Sequence, residues 1–221
     1  MGLLRKVANR ALWALPSSGT IRGYDNSELV DLIRRKTLAS QEAGAWPELD
    51  GAATVLDFGG SFGLHYRRAA SQFPCIRWAI VETPETITRA RGMASDNLRF
   101  FADVDEARDW LGSVDAVHSN AALQFTNEPE LYLAQLCSIQ APLMIWNRTL
   151  LSADTRRADV QISLLAENGP GLSFSRKRVE TARIFIPESA FLMAHAGYRL
   201  AKRTGSQNDR SGEDFVFTKS A

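Results

Sequence analysis

The stretch Val55-Leu56-Asp57-Phe58-Gly59-Gly60-Ser61-Phe62-Gly63 sets a carboxylate and three glycines between an apolar run and a following amphipathic run. Glycine serves tight turns and close approach of the main chain to a ligand, so the segment reads as a ligand-cradling loop from strand to helix. Its spacing is G-G-x-x-G, whereas dinucleotide-binding loops use G-x-G-x-x-G. Asp57 precedes the first glycine by two residues. A carboxylate pointing into the loop would oppose a pyrophosphate and favour a ligand carrying an ammonium and a sulfonium. Glu82 closes the next apolar run, 25 positions after Asp57. An acid at such a strand end accepts hydrogen bonds from ribose hydroxyls. The alternative is a loop carboxylate in water.

Further polar residues fall where later strands should end: Asp103, Ser119-Asn120 and Asn147-Arg148. Asp103 suits an adenine amino group or, equally, the cap of the next helix. His118 is the candidate general base, although strand alternation can aim it at a neighbouring helix instead. His65 borders the loop or is a partly exposed helix residue, and His195 reads as structural. Arg148 suits an anionic acceptor such as a sugar acid or phosphate; a salt bridge is the other reading. Tyr24 either folds over the ligand as part of an N-terminal lid or packs on the sheet edge. The run Arg176-Lys177-Arg178 reads as a solvated face.

These side chains need a scaffold, and the hydrophobic pattern supplies one. Apolar runs at 54–58, 77–81, 98–101, 116–119 and 143–146 are short strands, separated by helices at about 64–72, 84–94, 105–111 and 128–139. Strands alternating with helices imply βαβ units and a parallel sheet covered on both faces. A strand at 183–186, a helix at 188–196 and a final antiparallel strand pair, 198–202 with 215–219, complete the chain. Residues 3–15 form a basic amphipathic helix ended by Pro16, and a second helix begins at Asn26 or Ser27 and runs to about Ala43. Residues 1–48 are thus expected as a helical extension or lid, and 49–221 as the main α/β domain. The Arg-rich stretch 152–183 is an insert that shapes an acceptor site.

Composition narrows the function. Lys plus Arg is 26 and Asp plus Glu is 25, so no global field draws the chain to nucleic acid. Cys75 and Cys137 belong to no C-x-x-C pair and read as two buried core thiols, with neither a disulfide framework nor a metal site. No apolar run approaches the roughly 18 residues that span a bilayer. Arg10 interrupts the N-terminal apolar stretch, which argues against a signal peptide and for a cytoplasmic protein. Weak membrane-surface contact through residues 3–15 is an open alternative to docking on the protein itself.

Asp57 to Gly63 resembles motif I of class I S-adenosylmethionine-dependent methyltransferases, with Ser61 where that family usually has glycine. Thr83-Pro84 and the helix bearing Arg89 resemble the stretch after the family's second strand. Asp115 to Phe125, with Ser119-Asn120 and Leu123-Gln124-Phe125, is similar to its fourth-strand motif. The resemblance covers about residues 53–147. It implies a Rossmann-like fold, S-adenosyl-L-methionine as cofactor, and a cofactor site at Tyr24, Asp57, Gly59, Gly60, Ser61, Gly63, Glu82, Thr83, Asp103, Ser119 and Asn120. His118 and Arg148 are then the catalytic candidates. A narrower likeness rests on Gly23-Tyr24-Asp25, Leu56 to Gly60, Leu123-Gln124 and Asn147-Arg148-Thr149. These resemble an uncharacterised family of methyltransferase-like proteins often found beside bacterial genes for surface polysaccharides. The expected acceptor is a small molecule or sugar, including a polysaccharide precursor. The alternative is an inactive methyltransferase-like partner subunit.

Overall fold

A computed structural model describes residues 9–41, 44–205 and 212–220. Five short apolar segments become the parallel strands β2 (Thr54–Phe58), β3 (Arg77–Val81), β4 (Leu98–Phe101), β5 (Ala116–Asn120) and β6 (Leu143–Thr149). Preceding them are β1 (Thr20–Arg22) and α1 (Ser27–Leu38), and the crossovers are α2 (Leu64–Ala70), α3 (Pro84–Ala90), α4 (Val104–Leu111) and α5 (Pro129–Ser138). After β6 come β7 (Leu151–Ser152), β8 (Arg157–Leu164), β9 (Arg178–Pro187), α6 (Glu188–Ala194), β10 (Tyr198–Thr204) and β11 (Glu213–Lys219).

The main sheet has the order β10-β11-β6-β5-β2-β3-β4, with β11 antiparallel to both its neighbours. From β2 the chain builds outward through β3 and β4, then returns to β5 on the other side. That reversal opens a crevice at the carboxyl ends of β2 and β5, the place where open α/β sheets bind ligands. β2 shows no exposed residue, as expected of a strand covered on both faces. One face packs Leu56, Val117, Met144 and Phe215 under α4, α5 and α6; the other packs Val55, Trp78, Ile80 and Ile145 with Trp46 and Ala69.

A second, smaller sheet was not foreseen. β9 pairs in parallel with β1 and β7 and antiparallel with β8. The N-terminal extension therefore contributes a strand as well as helices, and the insert is largely a β-hairpin. Residues 9–13 are helical. Trp13 donates through Nε1 to Glu167, and the Arg178 guanidinium lies 4.1 Å from the Trp13 ring, so this end rests on the protein's own second sheet. The expected helix at 3–8 lies outside the described residues. Among the described residues no helix is long and apolar enough to cross a membrane. Cys137 is buried as expected, but Cys75 is exposed, because it sits in the turn between α2 and β3.

Candidate ligand site at the crevice

The glycine loop lies over the carboxyl end of β2, and its glycines answer mainly to protein atoms. Gly59 has φ +74°, and a Cβ there would overlap the Ala122 methyl. At Gly60 a Cβ would overlap the Asp57 carboxylate. Gly63 has φ +71° and opens α2. Ser61 also takes the left-handed conformation, φ +50°, at the position where glycine was expected.

Asp57 corrects the expectation drawn from its charge. Its carboxylate is 1% exposed and lies beneath the loop rather than facing a ligand. It accepts from Trp78 Nε1 at 3.0 Å and from His118 Nδ1 at 2.7 Å. Burial works to raise this carboxyl, but the His118 and His65 rings and the Trp78 N–H together outweigh it and hold the group below its ordinary range. Asp57 thus fixes the loop from below and ties β2 to β3 and β5. His118 is corrected as well. It is fully buried, and its Nε2 lies 3.2 Å from the Asn147 amide oxygen, so no ring nitrogen meets an incoming acceptor. The alternation of β5 turned it inward.

Glu82 is placed as expected. Its Oε1 accepts from Ser61 N and its Oε2 from Thr83 N, both at 2.9 Å. A carboxylate has about four acceptor positions. Two hold the loop and the start of α3, leaving others toward the cavity that Glu82 lines. Burial pushes this carboxyl above its ordinary value, against the pull of the two backbone donors. Thr83 caps α3 and lines the same cavity.

That cavity, of about 970 Å³, lies between the carboxyl ends of the main sheet, α1 and the second sheet. Gly59, Ser61, Glu82, Thr83, Asn120, Tyr24 and Arg148 all line it. Tyr24 meets Phe125 edge-on at 4.8 Å, so the tyrosine roofs the crevice from the N-terminal extension. Asn120 donates to His65 Nε2 at 2.8 Å and accepts from Arg148 Nε at 2.7 Å. Arg148 sits at φ +51°, fixed by Asp214 on its N–H and Gln124 on its carbonyl. Among the described residues its guanidinium pairs with no carboxylate, so the alternative reading of a salt bridge is not what the structure shows.

Two further candidates lie off the cavity wall. Asp103 accepts from the N–H groups of Asp105 and Glu106 and so caps α4, leaving Ala102 on the cavity wall. Ser119 is buried in β5 and only its neighbour Asn120 reaches the crevice. His195 is structural as read. Its Nε2 accepts from Trp146 Nε1 and its Nδ1 donates to Phe191 O, both at 2.8 Å. Burial lowers it to about 4. Among the described residues no group of three or more His, Cys, Asp or Glu is arranged to hold a metal.

Sequence reasoning missed Gln124, Gln161, Thr181 and Arg183 on the cavity wall. A signal existed in Arg157-Ala158-Asp159-Val160-Gln161-Ile162-Ser163-Leu164, which alternates strictly between polar and apolar. That is the period of a strand.

No family model and no curated protein matches this chain. Solved structures do. The N-terminal domain of EvdMO1, determined in the presence of S-adenosylhomocysteine and D-fucose, is 18% identical at a TM-score of 0.51, covering 100% of this chain and 96% of that one. The same domain with bound S-adenosylhomocysteine is 17% identical at a TM-score of 0.50, covering 89% of this chain and 82% of that one. With the strand order and the single antiparallel β11, these make the fold the Rossmann-like fold of class I methyltransferases.

Proposed function

We propose that this chain is an S-adenosylmethionine-dependent methyltransferase acting on a small molecule or sugar. The observation that carries the reading is Glu82. Its carboxylate stands at the end of β3 beside the switch point, anchored by two loop amides and lining the crevice. A ribose offers two adjacent hydroxyl donors to such a group. The residues fit a nucleoside carrying a cation. Glu82 and Asp25 stand at the loop end of the cavity, and Tyr24 and Phe125 form an aromatic roof. Gly59, Ser61, Thr83 and Asn120 supply main-chain and side-chain polar atoms, while Gly60, Gly63 and Asp57 hold the loop in shape.

The cofactor when bound supplies an electrophilic methyl on a sulfonium with a neutral leaving thioether. The chain's part is to hold the acceptor in line and exclude water, a proximity effect. A base is needed only for an acceptor that must lose a proton, so the burial of His118 does not count against the reaction. The fold's likeness to a domain that binds S-adenosylhomocysteine supports the cofactor. The likeness to a structure obtained with D-fucose present supports a sugar-sized acceptor. A bacterial surface-polysaccharide precursor is the narrower form of the proposal.

Calorimetric titration with S-adenosylhomocysteine on wild type and Glu82→Gln tests it. Glutamine turns one acceptor oxygen into a donor, so one backbone bond to a charged acceptor is lost together with an acceptor for ribose. At about 1.5–3 kcal/mol this predicts binding roughly 10- to 150-fold weaker. Absence of saturable wild-type binding at millimolar ligand would refute the proposal and point to a methyltransferase-like scaffold with a protein partner.

A further inference from the structure

Strand β8 is built inside out. Val160 and Ile162 are 60% and 54% exposed, whereas Asp159, Gln161 and Ser163 are half-buried and face the crevice. A half-buried strand ordinarily turns its apolar side inward. Residues 159–163, Val160 and Ile162 included, border a second compartment of about 960 Å³, bounded also by Thr149, Arg157, Arg183 and Glu213. It shares Leu150, Gln161, Glu167, Asn168 and Arg183 with the first cavity, so the two are sections of one crevice.

The charges in this crevice are unevenly matched. Asp159 neutralises Arg183 with two bonds of 2.8 Å. Arg157, which lines the second compartment, lies over the Phe185 ring, and Glu213 on the same wall is taken by Arg203. Arg148, which lines the first cavity, uses only Nε of its guanidinium among the described residues, for the neutral Asn120 amide. The buried Gln124 beside it donates to the Arg148 carbonyl, while its own Oε1 lacks a partner among the described residues. A buried acceptor without a donor is unfavourable, and a crevice wall is where a ligand can supply that donor. Arg148 and Arg183 line the same cavity as Tyr24 and the acidic Glu82.

We propose that the part of the first cavity beside β8 and β9, where Arg148 and Gln124 line the wall with Gln161 and Arg183, takes a hydroxyl-bearing acceptor with an anionic group, a carboxylate or a phosphate, held by Arg148 while Gln124 Oε1 accepts from a hydroxyl. This rests on the methyltransferase reading for the word acceptor, but the anion subsite itself does not.

The test is calorimetry with glucose, glucuronate and glucose 1-phosphate, with and without saturating S-adenosylhomocysteine. At least one anionic sugar should bind ten or more times tighter than glucose, and whichever binds tighter identifies carboxylate or phosphate. Arg148→Gln should erase that preference, and Gln124→Met should weaken all three sugars while keeping it. Circular dichroism confirms that each variant is folded. Equal affinity for all three, no sugar binding, or a preference that survives Arg148→Gln overturns the proposal. Failure of S-adenosylhomocysteine to bind removes the cofactor reading alone, because the titrations without it still decide the anion subsite.

Discussion

Replacing Asp57 separates a residue that holds a loop from one that touches a ligand. Asp57 is buried against two donors, Trp78 Nε1 and His118 Nδ1. Asp57→Ala leaves both unpaired in a packed interior and opens a gap beneath Gly60. Removing a buried carboxylate and leaving its two donors without an acceptor costs about 3–5 kcal/mol. For a chain of this size that is a fall of about 6–20 °C in Tm. Asp57→Asn keeps the volume and one acceptor, loses the charge and one bond, and should cost about 1–3 kcal/mol. The pH dependence carries a sign. Because the native carboxyl lies below its unfolded value, its contribution is complete above about pH 4 and is lost as pH falls through the native value. Urea unfolding of the three proteins at neutral pH and below pH 4 measures both effects, and the acid-dependent part should vanish in Asp57→Asn. Folded Asp57→Asn should also bind S-adenosylhomocysteine within about tenfold of wild type, under about 1.4 kcal/mol. A stable Asp57→Asn that has lost all binding would refute the structural role and restore direct contact. A change below about 1 kcal/mol in Asp57→Ala would refute the buried pair.

Ser61 holds φ +50° without being glycine, a conformation that costs about 1–2 kcal/mol, so Ser61→Gly should leave stability unchanged or raise it by up to about 1 kcal/mol. Gly59→Ala, at φ +74° and against the Ala122 methyl, should do the opposite, and thermal melts of the pair check both. The native state keeps His195 neutral down to about pH 4 while the unfolded chain protonates it near 6.5, so stability should fall as pH drops through that window. His195→Phe should remove that slope and, by leaving Trp146 Nε1 unpaired, cost about 1–3 kcal/mol at pH 7.5, read by urea melts across the window.

The parallel core was legible because each strand is a compact apolar run and each crossover an amphipathic one. Strands β2, β3 and β4 fall where periodicity placed them, and β5 and β6 extend only toward the crevice, by polar residues that finish each strand. Glu82 was legible too, since its chemistry depends on its place at a strand end. The second sheet was not. β1 is three residues long, and β8 carries its polar residues inward, so the usual rule of apolar inside points the wrong way.

By itself the sequence determined the alternation of strands and helices, the switch-point loop and the acid that lines it, because these follow from local hydrophobic period and backbone demand. Tertiary structure decided what the other polar groups do. Asp57 and His118 looked like ligand and base, yet they close on each other because β2 and β5 are adjacent and their registers put both side chains on one buried face. Asp103 became a cap once α4 needed its first amides bonded. Tyr24, Gln124, Arg148 and Arg183 come from four distant parts of the chain and meet only because β9 brings β1 and the insert over the carboxyl ends of the main sheet. No local pattern records that pairing, since it depends on hydrogen bonds between segments more than 150 residues apart.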